Sequence, residues 1–423
     1  MKPDTTVLLL GSGGREHAIA WKLAQSKRLK NLYALPGSDA IAQWAQNVPG
    51  DPCDPAAVVE AAKKVHAQLV VIGPEAPLAA GVADALREAG FKVFGPSKAA
   101  ARLEASKAFS KRFMKKHKVP TARFEVHSDP MIARGAAEAW RLPVVIKADG
   151  LAAGKGVFVC QQTNDALGAV TQILEHGSFG EAGREIVIED GLEGPELSLL
   201  MFCDGKDYRL LAPSRDHKRL KDGDQGPNTG GMGVFAPVSV DPGLMRTIEE
   251  TVIAPVLAGL KSEKLDYRGL LYIGLMLTKK GPMTLEFNCR FGDPETQAVL
   301  PLLDEDLLEL MLACAVGKLG KGVLKPKAGA AVCVTLASGE YPARGSKGVA
   351  IRGLEDVQDA FVFHAGTAKA DGRWVTNGGR VLSVTGLGKD LAEARAKAYA
   401  AATQIAFDGM QYRKDIGMEK VPA

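Results

Sequence analysis

Several features that would narrow the function of a chain at once are missing from these 423 residues. No apolar run is long enough to span a bilayer, and Met1-Lys2-Pro3-Asp4 does not read as a signal peptide. The six cysteines (Cys53, Cys160, Cys203, Cys289, Cys314 and Cys333) form no C-x-x-C pair, and no Cys/His cluster has zinc spacing. Most sit in apolar stretches, so buried free thiols in a reducing, cytoplasmic setting are expected. The net charge is only +4 and no long Lys/Arg block accompanies it, so neither nucleic acid nor a membrane is an expected partner. Residues 112–118 are locally basic but read as one face of an amphipathic helix. Internal repeats and low-complexity tracts are absent as well.

What is present is ordinary globular material, 46% hydrophobic and 24% charged, enough for more than one core. Roughly two to four domains are expected at this length. Val7-Leu8-Leu9-Leu10 is a short apolar strand, Gly11-Ser12-Gly13-Gly14 a turn, and residues 15–25 a helix. Strand, glycine turn and helix can bind an anion through free N–H groups and the helix dipole. The dinucleotide fingerprint G-x-G-x-x-G fails, because Glu16 stands where its third Gly belongs. A purely structural tight turn explains the glycines nearly as well. Further strands at 31–35, 69–72 and 91–94 alternate with helical patterns, which predicts a parallel sheet. Ligands of such sheets sit beyond the carboxyl ends of the strands. Gly13 and Glu75, which follows the third strand, are therefore expected to face one crevice. Simple exposure after the Gly73-Pro74 turn is the competing reading for Glu75.

Residues 97–118 read as two short helices. The strand Pro143-Val144-Val145-Ile146-Lys147 ends in a lysine, a residue rarely buried without a partner. Asp149-Gly150-Leu151-Ala152-Ala153-Gly154-Lys155-Gly156 follows, then a strand at 157–159. This glycine-rich turn is not a P-loop, since Gly156 stands at the Ser/Thr position. It suits a lid over phosphates, with a loose hairpin as the alternative. Two strands at 185–189 and 196–202 flank a break at Asp190-Gly191-Leu192, which reads as a hinge able to offer backbone groups to a base. After a strand at 208–212, Asp216 is preferred over His217 as the group facing a substrate. The glycines of 226–233 suggest a nest of N–H groups around an anion. Residues 317–328, rich in Gly and Lys, read as a linker, and an alanine-rich helix at 391–405 closes the chain.

A hairpin of 269–278 and 283–288 delivers the most informative stretch, Leu285-Glu286-Phe287-Asn288-Cys289-Arg290-Phe291-Gly292-Asp293-Pro294-Glu295-Thr296. Alternation puts Leu285, Phe287 and Cys289 on one face and Glu286, Asn288 and Arg290 on the other. A carboxylate and an amide oxygen two residues apart can reach one hard cation, which usually shares its shell with substrate phosphates. An Arg two further on can hold an anion beside that cation. A solvated polar face is the bland alternative, and the glycine-rich segments upstream favour a nucleotide site.

Gly11-Ser12-Gly13-Gly14-Arg15-Glu16-His17, residues 145–156, residues 226–233 and residues 285–297 together resemble the phosphoribosylamine–glycine ligase family of the ATP-grasp superfamily. The resemblance runs in the same order from near Val7 to near the C-terminus. It implies an α/β and α+β multidomain chain. A Rossmann-like N-terminal domain would cover 1–103, an ATP-grasp region 104–326, and a small C-terminal α+β domain 327–423. Within the ATP-grasp region the lid subdomain would be about 121–191 and the central subdomain 104–120 with 192–326. It implies a monomer or weak homodimer that converts ATP, glycine and 5-phosphoribosylamine to glycinamide ribonucleotide, ADP and phosphate through glycyl phosphate.

By the same resemblance, Lys107 and Lys147 would contact ATP phosphates and Gly154-Lys155-Gly156 would form the lid. Glu189 and Leu192 would meet adenine, Glu196 would meet ribose, and Glu286 and Asn288 would hold Mg²⁺ or Mn²⁺. Gly13, Gly14, Glu75, Asp216, Asn228, Thr229 and Arg290 would surround the other substrates, with Arg290, Asp216 and Lys155 closest to the chemistry. Asp190-Gly191, Pro195 and Arg215 depart from the family pattern around the hinge. The lack of a Ser-His-Asp or Cys-His set fits, because the substrate carboxylate is itself the nucleophile and phosphoryl transfer needs mainly positioning. Another ATP-grasp enzyme, an NAD-dependent oxidoreductase built on the Gly11 turn, and a non-catalytic nucleotide sensor are the competing functions.

Overall fold

Val7 to Leu10 lie in the strand Thr5–Gly11 with no exposed surface, as a strand covered on both faces requires. The computed structural model describes residues 3–152 and 155–418. Thr5–Gly11 is the middle of a five-stranded sheet ordered Gln46–Asn47, Leu29–Pro36, Thr5–Gly11, Leu69–Ile72 and Lys92–Phe94, every pair parallel. The chain leaves Thr5–Gly11 to one side and returns on the other. That reversal opens a crevice at the carboxyl ends of Thr5–Gly11 and Leu69–Ile72. The helices Gly14–Leu23 and Glu75–Ala80 begin there.

Lys98–Ala105 and Lys107–Lys116 form the two expected helices, each started by a serine whose hydroxyl accepts a backbone N–H: Ser97 from Ala100 and Ser106 from Phe109. A four-stranded antiparallel sheet follows, ordered Phe124–His127, Ile186–Asp190, Val144–Ala148 and Val157–Cys160. Ala133, Ala137, Ala166 and Val170, from the helices Pro130–Ala139 and Thr163–Val170, pack on Ile146 and Ile188.

The central sheet runs Gly281–Asn288, Gly269–Thr278, Glu196–Cys203, Tyr208–Leu210 and Gly322–Val323. Its last strand corrects the linker expected at 317–328. Gly322–Val323 pairs in parallel with Tyr208–Leu210, and Lys327 N–H donates to Leu302 O at 2.7 Å, so the segment straps the sheet. Local composition showed the glycines but not the distant strand edge that they reach.

A further sheet joins Arg215–Asp216 and Gly233–Ala236 to Ala330–Ala337, Arg380–Gly388 and Ala360–His364. The helix Leu391–Gln404 covers it with Ala394, Ala398, Ala401 and Ala402. Small residues are needed on both sides: a Cβ on Gly386 would lie 2.3 Å from Ala394 O. One core runs from Val7 and Leu9 through Leu200, Phe202 and Tyr272 to Cys333 and Phe363, and so ties three sheets together. All six cysteines are free, and five of them are buried. Among the described residues no helix is long and apolar enough to cross a membrane.

Candidate active site

A cleft of about 1070 Å³ separates the four-stranded sheet from the central one. The strand Gly281–Asn288 forms part of its wall. The pairing with Gly269–Thr278 shifts between Gly274 and Leu275, so Leu285 stands at a bulge and lines the cleft. Beyond the bulge the expected alternation returns: Phe287 and Cys289 are buried, and Glu286, Asn288 and Arg290 face the cleft. Among the described residues the Glu286 carboxylate makes no ion pair and accepts no hydrogen bond. The Asn288 amide nitrogen is best directed at Glu104 Oε1, 3.1 Å away, which leaves the amide oxygen for the cleft. Glu104 also accepts the Cys289 N–H at 2.6 Å and pairs with Arg290 at 2.7 Å. One buried acid therefore fixes three consecutive residues of the strand end.

Across the cleft, Lys147 is buried and has the partner its burial demands. Its Nζ lies 2.6 Å from Glu189 Oε1, and the other Glu189 oxygen meets Lys111. Burial opposes the charge on Lys147, but Glu189 and Glu286 hold its pKa above the ordinary value. Burial outweighs Glu189 at Lys111 and lowers it to about 8. Against burial, the two lysines keep Glu189 below its ordinary value. Lys107 starts the helix Lys107–Lys116, and its Nζ donates to Gly150 O at 2.9 Å, at the base of the glycine-rich turn. Burial lowers its pKa. The hinge brings Leu192 to the cleft rim, where its N–H makes no hydrogen bond among the described residues.

A third cluster centres on Lys218. Its Nζ lies 2.8 Å from Glu196 Oε2 and 3.0 Å from Asp216 Oδ2, and these acids raise its pKa well above the ordinary value despite burial. Asp216 also accepts from Ser198 Oγ at 3.3 Å. Residues 226–233 do not form the expected open nest. Gln225–Asn228 pairs with Arg219–Lys221 as a hairpin, and the N–H groups that follow are already taken. Thr229 donates to Lys218 O, Gly230 to Tyr341 Oη, Gly231 to Thr229 Oγ1 and Met232 to His217 O. Arg380 closes the loop from outside, donating to Gly230 O at 2.6 Å and to Asp293 O at 2.7 Å.

At the N-terminal sheet, Glu75 lies 3.2 Å from Arg290 and 3.7 Å from Arg15. The glycine turn and Glu75 thus meet at one crevice, through Arg15. The turn itself is not a phosphate cradle. Glu16 Oε2 accepts the Gly13 N–H at 2.8 Å, and a Cβ on Gly11 or Gly73 would collide with the Glu16 side chain. These glycines make room for Glu16, the residue at which the dinucleotide fingerprint fails.

Three family profiles match in chain order: the Phosphoribosylglycinamide synthetase N domain at residues 5–104, its ATP-grasp (A) domain at 105–296 and its C domain at 331–419. The chain belongs to the phosphoribosylglycinamide synthetase family. It is 46% identical over 421 residues to the phosphoribosylamine–glycine ligase of Rhodopirellula baltica, covering 97% of this chain and 96% of that protein. It is also 47% identical to the trifunctional purine biosynthetic protein adenosine-3 of Gallus gallus, covering 98% of this chain but only 42% of that longer one. Among solved structures it resembles the phosphoribosylamine–glycine ligase of Thermotoga maritima, with 39% identity, a TM-score of 0.84, and 97% and 99% of the two chains covered. The resemblance drawn from the motifs is borne out, and with it the multidomain fold with an ATP-grasp domain.

Within this family frame, the cleft collects Glu75, Lys107, Lys147, Gly156, Glu189, Leu192, Glu196, Asp216, Asn228, Thr229, Glu286, Asn288 and Arg290. Lys155 is exposed outside it and donates to Ala343 O at 3.3 Å. Gly13 and Gly14 stand behind Arg15, with Gly14 buried where a Cβ would meet Gln297 and Ala365. Gly154 lies outside the described residues. Sequence reasoning passed over Arg15, Glu104, Lys111, Lys218, Glu295 and Arg380, which also line the cleft. Two left a signal: Lys111 stands one helical turn after Lys107, and Lys218 two residues after Asp216.

Proposed function

We propose that the chain joins glycine to 5-phosphoribosylamine, cleaving ATP to ADP and phosphate and giving glycinamide ribonucleotide, a step of purine biosynthesis. The glycine carboxylate attacks the γ-phosphate, and the amine of phosphoribosylamine then displaces phosphate from glycyl phosphate. The observation that carries this at residue level is Glu286: a cleft carboxylate without an ion pair among the described residues, beside Asn288, with Lys107 and Lys147 across the same cleft. No group of three or more His, Cys, Asp or Glu among the described residues could hold a metal alone. A two-oxygen site that completes its shell with ATP phosphates fits this donor set. Magnesium or manganese held by Glu286 and Asn288 would neutralise charge on those phosphates.

The chain's own residues then do the positioning. Lys147 and Lys107 take the phosphates, the Glu189 to Leu192 hinge takes adenine, and Glu196 takes ribose. Lys155 and Gly156, with Gly154, belong to the lid that closes over them and excludes water from the acyl phosphate. Arg290, Asp216, Asn228 and Thr229 hold glycine and the amine, and Glu75 with Gly13 and Gly14 borders these two substrates. Such positioning is worth up to roughly 7–11 kcal/mol when geometry is good. The domain division is 1–103, 104–326 and 327–423, and the enzyme works as a cytoplasmic monomer or weak homodimer.

ADP release measured with ATP and Mg²⁺ tests the reading. Turnover is expected only when glycine and 5-phosphoribosylamine are both present. Turnover with bicarbonate or formate in place of glycine, and none with glycine, would move the chain to another ATP-grasp chemistry.

A further inference from the structure

Among the described residues, four acids that line the cleft are buried: Glu104, Glu189, Asp216 and Glu295. Arg290 holds the first, Lys147 and Lys111 the second, and Lys218 with Ser198 the third. Glu295 differs. It is 5% exposed, at the start of the helix Glu295–Leu302, directly after Asp293-Pro294. Among the described residues its carboxylate makes no ion pair and bonds no other side chain. The charged groups acting on it are Asp216, Lys218 and Arg290, and it acts in turn on Tyr272 and Arg380. Burial first, and then the Asp216 charge, push its pKa up to about 7. Its own backbone N–H also bonds the carboxylate, and a buried acid that no cation pairs among the described residues is costly to ionise, which suits a group whose work is to change charge.

We propose that Glu295 accepts the amine proton as 5-phosphoribosylamine attacks glycyl phosphate. The inference rests on the ligase reading above. The amine nitrogen forms a bond to the glycyl carbonyl carbon, and the bond from that carbon to the phosphate oxygen breaks. Phosphate leaves with the bonding pair. One N–H proton passes to a Glu295 oxygen and reaches solvent as the products leave. Asp216 is the poorer acceptor, since Lys218 and Ser198 already occupy its oxygens. A general base works best when its pKa is near the working pH.

Rapid-quench single turnovers with ATP, glycine and 5-phosphoribosylamine, counting ADP and amide product separately, test the assignment. In Glu295→Gln, ADP formation is expected within about threefold of wild type, while amide formation falls about 10²–10⁴-fold. ADP made per amide then rises, because glycyl phosphate is lost to water. Glu295→Asp should recover part of the amide rate. The decline in wild-type amide formation below about pH 7 should vanish in Glu295→Gln. ADP and amide falling together at a ratio near one, or an unchanged amide rate, would overturn the inference while leaving the ligase reading intact. No ADP from the wild type with all three substrates would remove both. If Glu295→Gln does not fold, an unshifted acid limb in Glu295→Asp overturns the inference alone.

Discussion

On the Glu189 side of the cleft, one buried carboxylate is gripped by two lysines, and all three side chains are at most 8% exposed. On the Glu286 side, two carboxylates, Glu286 and Glu295, line the same cleft and make no ion pair among the described residues. Both sides are polar, and polarity alone does not tell them apart. Satisfaction does. A charge taken from water must be compensated, so a paired acid holds its neighbours in place. An unpaired one in a cleft is available to something that is not protein. Glu75, Glu104 and Asp216 fall with Glu189, since each is held by Arg290, Arg15 or Lys218.

The comparison breaks most sharply at Glu189. Glu189→Ala leaves Lys147 and Lys111 facing each other in a buried site, and about 3–5 kcal/mol of stability should go with the pair. The urea midpoint measures it. A midpoint unchanged within error would mean that the lysines relax into the cleft and that the triad is no structural clamp. Glu286→Ala should behave oppositely. Stability should fall by less than in Glu189→Ala, by about 1 kcal/mol or less, because Lys147 keeps Glu189 and loses only the more distant Glu286 charge. ADP release should fall about 10²–10³-fold, in line with the loss of one preorganised charge-stabilising group. Near-normal turnover would sink the metal assignment.

The third contrast is one of sign. An unfolded glutamate loses its proton near its ordinary value of 4.5, whereas burial and Asp216 delay that loss to about 7 at Glu295. Between those values the folded chain keeps a proton that the unfolded chain has lost. The Glu295 contribution to stability therefore falls as pH rises from about 4.5 to 7, and is level above. At about 1.4 kcal/mol per pH unit the loss is on the order of 3 kcal/mol. Glu75 runs the other way. Against burial, Arg290 and Arg15 hold it at about 2, so its contribution is lost as pH falls from 4.5 toward 2. Urea midpoints from pH 3 to pH 8 should show both limbs. Glu295→Gln should flatten only the upper one. If both limbs persist in that variant, the upper limb belongs to another group.

How far the sequence carried this picture follows the same line. Val7 to Leu10, the strand ending at Lys147 and the Glu286/Asn288 alternation were legible because a strand's period and burial are written in its own neighbours. The need for a partner at Lys147 was legible too. That the partner is Glu189, which the resemblance places near adenine, was not legible, because a residue 42 positions away leaves no local mark. Glu104, 185 positions before the Cys289 N–H that it accepts, was invisible for the same reason. At Gly11 the sequence left an anion turn and a structural turn open, and the structure shows what the glycines there and at Gly73 make room for. Glycine marks close approach, and here the approaching group is Glu16 rather than a phosphate. Residues 226–233 misled, since free N–H groups were inferred where Tyr341 and the Thr229 hydroxyl had taken them.

That loop supplies the smallest effect and a control for the rest. Tyr341 Oη accepts the Gly230 N–H at 2.8 Å, and Arg380 binds the neighbouring carbonyl, so the loop carrying Asn228 and Thr229 hangs from two C-terminal side chains. Tyr341→Phe removes one neutral hydrogen bond at an exposed N–H that water can replace. About 0.5–1.5 kcal/mol of stability is expected to go, with less than about a tenfold loss in kcat/KM, felt in KM for the two small substrates rather than for ATP. Because the bond is neutral, the loss should hold steady from pH 5 to pH 8, unlike that from Glu295→Gln. A change in KM for ATP alone would detach this loop from the amine and glycine end of the cleft. It would also return residues 226–233 to the anion-binding role that their glycines first suggested.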